Sequence, residues 1–110
     1  MKLLFVGDVV GKPGRKALGL LEKVIAREAV DFTVVNVENA AGGFGVTAEI
    51  FADLSKLPID VFTSGNHIWD KKDFVPLLDD IPNLLRPANY PPGNPGRGWV
   101  VQRTPAGIPV

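Results

Sequence analysis

The stretch Phe-Thr-Val-Val-Asn-Val-Glu-Asn at residues 32–39 decides the fold, because a continuous apolar run ends there in two polar side chains. Two other stretches have the same form, Leu-Leu-Phe-Val-Gly-Asp at residues 3–8 and Ile-Asp-Val-Phe-Thr-Ser-Gly-Asn-His at residues 59–67. The apolar residues follow one another without regular alternation, which is typical of strands buried on both faces in a parallel sheet. The sequence therefore predicts three such strands.

Amphipathic helices are predicted in the two gaps between these strands. Apolar residues between positions 17 and 29 recur every three to four residues, and Thr47 precedes a second apolar face as a helix-capping residue. Asp8 and Glu38 are 30 residues apart, and Glu38 and Asn66 are 28 apart, which is the size of a βαβ unit. We therefore predict an α/β fold of βαβαβ units with right-handed crossovers.

The last third of the chain follows a different pattern. Short elements are predicted there, a helix limited by a proline and then two strands, at residues 73–80, 84–85 and 99–103. The stretch 87–98 is rich in proline and glycine, which indicates an ordered loop or a linker. Because the sequence ends on an apolar run, we expect residues 1–110 to be part of a single domain that is truncated at Val110.

The composition limits the class of protein. With 110 residues, of which 45% are hydrophobic, the chain has the size of one domain with a core and is not intrinsically disordered. Twelve basic residues balance twelve acidic ones, which argues against a protein that holds long nucleic acids. The absence of cysteine excludes disulfides and thiolate zinc sites. The sequence has neither a signal-peptide pattern nor a membrane-spanning one, so we expect a soluble cytoplasmic protein.

Polar side chains follow all three predicted strands at the point where each strand ends. The carboxyl ends of parallel strands lie at one edge of a sheet, so we expect Asp8, Glu38, Asn39, Asn66 and His67 to converge there. Two carboxylates, two amide oxygens and an imidazole suit one or two divalent ions such as manganese, iron, zinc or magnesium. The carboxylate of Glu38 has two oxygens and can bridge two ions, which would clamp the oxygens of a phosphoryl displacement.

Each of these residues also has an ordinary structural interpretation. A lone aspartate after a strand, such as Asp8, is often a turn residue or a helix cap. Asn39 and Asn66 lie close to glycines, where asparagine commonly adopts left-handed turn geometry. An isolated histidine such as His67 is more often packed or on the surface than catalytic. Because three strand ends converge, a shared site explains the five residues better than five separate turns do.

Two neighbouring features leave alternatives open. The segment Gly-Gly-Phe-Gly at residues 42–45 either lets the backbone approach a bound phosphate or is simply a tight loop between a strand and a helix. Trp69, two residues after His67, either covers a base or sugar or is a buried aromatic, which is the commoner case.

Three motifs resemble those of the calcineurin-like metallophosphoesterases. They are Gly-Asp-Val-Val-Gly at residues 7–11, Asn-Val-Glu-Asn-Ala-Ala-Gly-Gly-Phe-Gly at 36–45, and Ser-Gly-Asn-His-Ile-Trp-Asp at 64–70. More narrowly, the chain is similar to the bacterial YmdB-like branch, described as cyclic-nucleotide phosphodiesterases. The resemblance implies a four-layer α/β/β/α sandwich, of which these 110 residues would be the N-terminal half.

The same resemblance implies a role for each site residue. Asp8 and Asn39 would bind the first metal, Asn66 the second, Glu38 would bridge both, and His67 would donate a proton to the leaving alcohol. It also implies two divalent or trivalent ions, iron or manganese before zinc or magnesium, and hydrolysis of 2′,3′-cyclic nucleotides by a hydroxide that the ions activate. RNA-related substrates and a homo-oligomer stay open as partners, and no membrane partner is expected.

Two departures from the superfamily leave alternatives open. Val10 stands where the wider superfamily usually has a histidine, and the later histidines that complete its metal sites are absent, because His67 is the one histidine of the chain. One alternative is therefore a truncated, inactive half-domain that binds metal weakly. Another is a nucleotide-binding module without hydrolysis, although Gly7, Gly11 and Gly14 do not have the spacing of a dinucleotide fingerprint.

Overall fold

Four parallel strands form the sheet of the molecule, which a computed structural model describes for residues 1–110. They are hydrogen-bonded in chain order, so each strand lies beside the next one in the sequence. The strands are β1 (Leu3–Val6), β2 (Phe32–Asn36), β3 (Val61–Thr63) and β4 (Leu84–Leu85). This arrangement confirms the three predicted strands, the short strand at residues 84–85 and the α/β class.

Helices connect these strands. The α-helices are α1 (Gly11–Ala17), α2 (Leu21–Glu28) and α3 (Ala48–Leu54), and 3-10 helices lie at Leu18–Leu20, Asn66–Trp69 and Val75–Asp80. Thr47 caps α3 as predicted, because its Oγ1 accepts the N–H of Ile50 at 3.2 Å. The helix predicted at residues 73–80 is a 3-10 helix with its proline in the first turn. None of the helices is long and apolar enough to cross a membrane.

The hydrophobic core lies on one face of the sheet, against the helices. Val35 of β2, Phe62 of β3 and Leu84 of β4 are fully buried on this face. The ring of Phe51 on α3 packs edge-on against Phe62, with the ring centroids 5.0 Å apart. This packing holds the helices on the sheet.

The prediction that β1 is buried on both faces is wrong. Leu4 and Val6 point towards the core, but Leu3 and Phe5, on the opposite face of the strand, are 45% and 56% exposed. Side chains alternate between the two faces of a strand. Within these 110 residues the helices cover only one face of β1. The side chains of this apolar strand are therefore partly buried on one face and exposed on the other.

The chain after β4 is an ordered loop. The buried guanidinium of Arg86 donates hydrogen bonds of 3.1–3.4 Å to three backbone carbonyls, those of Pro87, Tyr90 and Pro91. The strand predicted at residues 99–103 does not form, and this segment contains only one isolated bridge residue, Arg103. Pairing is limited to the end of the segment, where Gln102 and Val110 exchange backbone hydrogen bonds of 3.0 and 2.8 Å, and Trp99 is largely exposed.

Candidate active site

The three loops that carry the predicted site residues are fixed to one another at the carboxyl edge of the sheet. Each loop is anchored by a buried apolar residue next to a polar one. These anchors are Val9, Val37 and Ile68. The N–H of Val9 donates to the carbonyl of Asn36 at 3.1 Å, and the N–H of Val37 donates to the carbonyl of Thr63 at 2.9 Å. Backbone hydrogen bonding thus continues beyond the strands and sets the relative positions of the loops.

Asp8 and Asn39 are in direct contact. The amide Nδ2 of Asn39 donates to Oδ1 of Asp8 at 2.6 Å. Asp8 has a φ of 42°, in the left-handed region that costs free energy for residues other than glycine. The N–H of Gly11 donates to the carbonyl of Asn39 at 3.0 Å and helps to hold this turn. Because Asp8 uses the amide nitrogen of Asn39, the amide oxygen of Asn39 stays free as a metal ligand.

The carboxylate of Glu38 lies against the backbone of Gly65. A Cβ atom placed on Gly65 would be 2.1 Å from Oε2 of Glu38 and 2.5 Å from Cδ, so no other residue fits there without movement. Glu38 is half-buried. Its backbone N–H donates to the side-chain Oδ1 of Asn36 at 3.3 Å, but its own carboxylate makes no hydrogen bond. Its carboxylate oxygens are therefore free, and they lie beside the residue that directly precedes Asn66.

His67 and Asp70 form a close pair on one turn of 3-10 helix. The Nδ1 atom of His67 is 2.6 Å from Oδ2 of Asp70, and both side chains are about one-third exposed. Since Asp70 occupies Nδ1, the Nε2 atom of the ring is the one left for other chemistry. The aromatic ring of Phe44 stands perpendicular to the imidazole, with centroids 5.9 Å apart.

The glycine-rich segment 42–45 is a tight loop packed against His67. Gly42, Gly43 and Gly45 have φ values of 67°, 91° and 76°, which side-chain-bearing residues rarely adopt. A Cβ atom on Gly45 would be 2.6 Å from the carbonyl oxygen of His67. The glycines therefore allow a sharp turn and a close approach to the third strand end.

Three residues that contribute to this geometry have no assigned role in the sequence prediction. Gly65 makes room for Glu38, Asp70 contacts His67, and the guanidinium of Arg15 on α1 donates to the carbonyl of Ala40 in the loop after Asn39. The contact of Asp70 with His67 could have been predicted from their spacing of three residues, which brings two side chains together on one helical turn. Gly65 had no signal, and the contact between Arg15 and Ala40 could not be predicted, because both contacts depend on tertiary structure.

The arrangement brings together some of the predicted residues and not others. Asp8 meets Asn39, and Glu38 reaches the segment that begins Asn66. No three His, Asp or Glu side chains are grouped closely enough to hold a metal ion among themselves, so His67 is not part of a ligand cluster with the two carboxylates. Hard oxygen donors at this edge suit a divalent cation, provided that amide oxygens or ligands from elsewhere complete its coordination.

Comparisons with known proteins point to one family. A 2′,3′-cyclic-nucleotide 2′-phosphodiesterase of Bacillus subtilis (strain 168) is 48% identical over 99 residues, which are 89% of this chain and 38% of that protein. The crystal structure of a novel phosphatase from Mycoplasma pneumoniae has a TM-score of 0.85 at 30% identity and is matched over 94% of this chain and 38% of its own. The crystal structure of a hypothetical protein from Thermus thermophilus has a TM-score of 0.83 at 39% identity, and the match covers 96% of this chain and 41% of that one.

The chain thus spans about two-fifths of the length of these relatives. The fold is compatible with the N-terminal half of the phosphatase structure. A family model described as YmdB-like protein matches residues 4–110, nearly the whole sequence. The chain therefore belongs to the YmdB-like family.

Proposed function

We propose that this chain carries the ion-binding edge of a phosphodiesterase that hydrolyses 2′,3′-cyclic nucleotides. The observation that carries the proposal is the contact of 2.6 Å between Asp8 and Asn39, beside a Glu38 carboxylate that lies against Gly65. The substrate class follows the name of the Bacillus subtilis relative. Residues 1–110 would be the N-terminal part of a single metallophosphoesterase domain, and activity is expected only in protein that contains the remaining part.

We assign two metal ions to the donor atoms at this edge. Asp8 and Asn39 would hold one ion, Asn66 would hold the other, and Glu38 would bridge them. The ions, iron or manganese before zinc or magnesium, would supply positive charge that stabilises the phosphoryl oxygens during displacement. Glu38 is half-buried and its carboxylate has no hydrogen-bond partner, which supports this assignment, because removing a negative charge from water is unfavourable unless a cation balances it.

His67 is the proton donor to the leaving ribose oxygen. Its contact of 2.6 Å with Asp70 fixes the orientation of the ring and assigns Nδ1 to the carboxylate. Nε2 is then the atom that delivers the proton. Asp70 acts through His67 and is a positioning residue.

A specific observation favours a second candidate, an inactive half-domain that binds metal weakly. Only two of the assigned ligands, Asp8 and Glu38, are carboxylates, and no group of three His, Asp or Glu side chains could hold a metal ion. Divalent ions are held more tightly as the number of charged ligands rises. If the 110 residues act alone, we therefore expect weak metal binding and no turnover.

Hydrolysis of 2′,3′-cyclic AMP by the full-length protein, followed by chromatography, tests the proposed function. Wild-type protein should be active with manganese and inactive after chelation, and Asp8→Asn should remove most of the turnover. Asp53→Asn is the matched control, because Asp53 is exposed on α3 and pairs only with Lys56 at 2.9 Å. The proposal fails if the wild-type protein is inactive with every divalent ion, or if both variants keep wild-type turnover.

A further inference from the structure

Phe44 is an exposed aromatic residue at the rim of the candidate site. Its side chain is 59% exposed, although its ring contacts the imidazole of His67 edge-to-face at a centroid distance of 5.9 Å. The other groups at this edge, Asp8, Glu38 and Asn39, are polar or charged. Phe44 therefore adds an apolar surface directly beside the group that would protonate the leaving oxygen.

The position of Phe44 is fixed by the same segment that presents Glu38 and Asn39. The N–H of Gly45 donates to the carbonyl of Glu38 at 2.6 Å, and the N–H of Gly43 donates to the carbonyl of Asn39 at 2.9 Å. The N–H of Phe44 donates within the loop to the carbonyl of Ala41 at 3.2 Å. A loop held in this way presents its aromatic ring with little loss of conformational entropy on binding.

Trp69, the other aromatic residue near His67, is packed against the core. Its ring packs edge-on against Tyr90 at a centroid distance of 5.3 Å, and its indole N–H is buried. The alternative that Trp69 is a packed aromatic therefore agrees with the structure. Phe44 is left as the exposed aromatic that contacts His67.

We propose that Phe44 is the platform on which the nucleobase of the substrate stacks. The inference rests on the proposed function, because it assumes that the phosphate of a nucleotide lies at the polar edge. In such a nucleotide the ribose separates the base from the phosphate. Phe44 lies next to His67, the proposed proton donor to the ribose oxygen, and is therefore placed where the base would lie. Stacking on one aromatic face is tolerant of sequence, since every base has a π face, so the site would accept purines and pyrimidines.

Steady-state kinetics of the full-length protein with two substrates test the role of Phe44. The substrates are 2′,3′-cyclic AMP and the 2′,3′-cyclic phosphate of methyl riboside, which has no base. Loss of one base stack corresponds to a factor of about 5 to 150 in affinity. Phe44→Leu should raise KM for 2′,3′-cyclic AMP by about this factor with a small change in kcat. It should change KM for the base-free substrate little. Phe44→Trp should restore the KM. Equal effects of Phe44→Leu on both substrates would overturn the inference.

A binding measurement separates this inference from the proposed function. Adenosine 3′-phosphate should shift the ring-proton NMR signals of Phe44 upfield, and ribose 3-phosphate should not. The signals are assigned by their loss in Phe44→Leu. If the wild-type protein hydrolyses cyclic AMP but the Phe44 signals do not respond to the nucleotide, the inference is wrong and the proposed function stands. If the signals respond but no hydrolysis occurs, the base platform stands and the proposed function is wrong.

Discussion

Gly65→Ala is the substitution whose effect follows most directly from the geometry of the site. The φ and ψ of Gly65 are −135° and −152°, an extended conformation that alanine also adopts, so the backbone itself is not strained. The new Cβ, however, would lie 2.1 Å from Oε2 of Glu38, and ordinary van der Waals contact begins near 3.4 Å. The carboxylate must therefore retreat by more than ~1 Å, the scale of misplacement that costs on the order of 100-fold in rate.

The assay for Gly65→Ala measures kcat/KM for 2′,3′-cyclic AMP and metal content per chain in the full-length protein. We expect kcat/KM to fall about 100-fold and metal content to fall with it, because Glu38 is displaced from the ions. Gly19→Ala is the matched control, since a Cβ there meets nothing within 4 Å and Gly19 has no positive φ. If Gly65→Ala retains both metal and activity at the level of Gly19→Ala, the assigned role of Glu38 is wrong.

Four further predictions concern the site and the core. Glu38→Ala should remove more bound metal than Asn39→Ala, because a bridging carboxylate touches both ions; equal losses in elemental analysis would refute the bridge. His67→Ala should slow a diester with a poor leaving group by about 100- to 10,000-fold and a nitrophenyl diester much less, at unchanged metal content. Asp70→Ala should slow the diester with the poor leaving group by about 10- to 100-fold and the nitrophenyl diester much less, and equal slowing of both would exclude the positioning role. Phe62→Ala should lower the free energy of unfolding by about 3–5 kcal/mol in chemical denaturation, since Phe62 is fully buried, and a loss below about 1 kcal/mol would contradict the assigned core.

The fold was predictable where local pattern and tertiary structure agree. The apolar runs that end at Asp8, Glu38 and Asn66 are spaced as βαβ units, and the strands pair in parallel, as this spacing indicates. The exposure of Phe5 was not predictable, because an apolar run does not tell which face of a strand its partners cover. The strand expected at residues 99–103 is reduced to its end, where Arg103 forms an isolated antiparallel bridge with Pro109, because strand formation depends on pairing as well as on local propensity.

The convergence of the strand ends was predictable only in part, and the metal-binding roles of the residues there stay predictions. Polar residues at parallel strand ends indicate convergence, and the contact between Asp8 and Asn39 agrees with this. The space at Gly65, the Asp70 partner of His67 and the exposed ring of Phe44 are properties of loops packed on one another, which residue spacing does not encode. Whether Asn66 and Glu38 share an ion stays a prediction.

Anomalous diffraction from crystals of the full-length protein grown with manganese tests the central claim most directly. The claim is that Asp8, Glu38, Asn39 and Asn66 hold two divalent ions at the carboxyl edge of the sheet. The account predicts two anomalous peaks there, one within about 2.6 Å of Asp8 and Asn39 oxygens and one beside Asn66, with a Glu38 oxygen near both. Fully occupied peaks elsewhere in the molecule, with none at this edge, would contradict it.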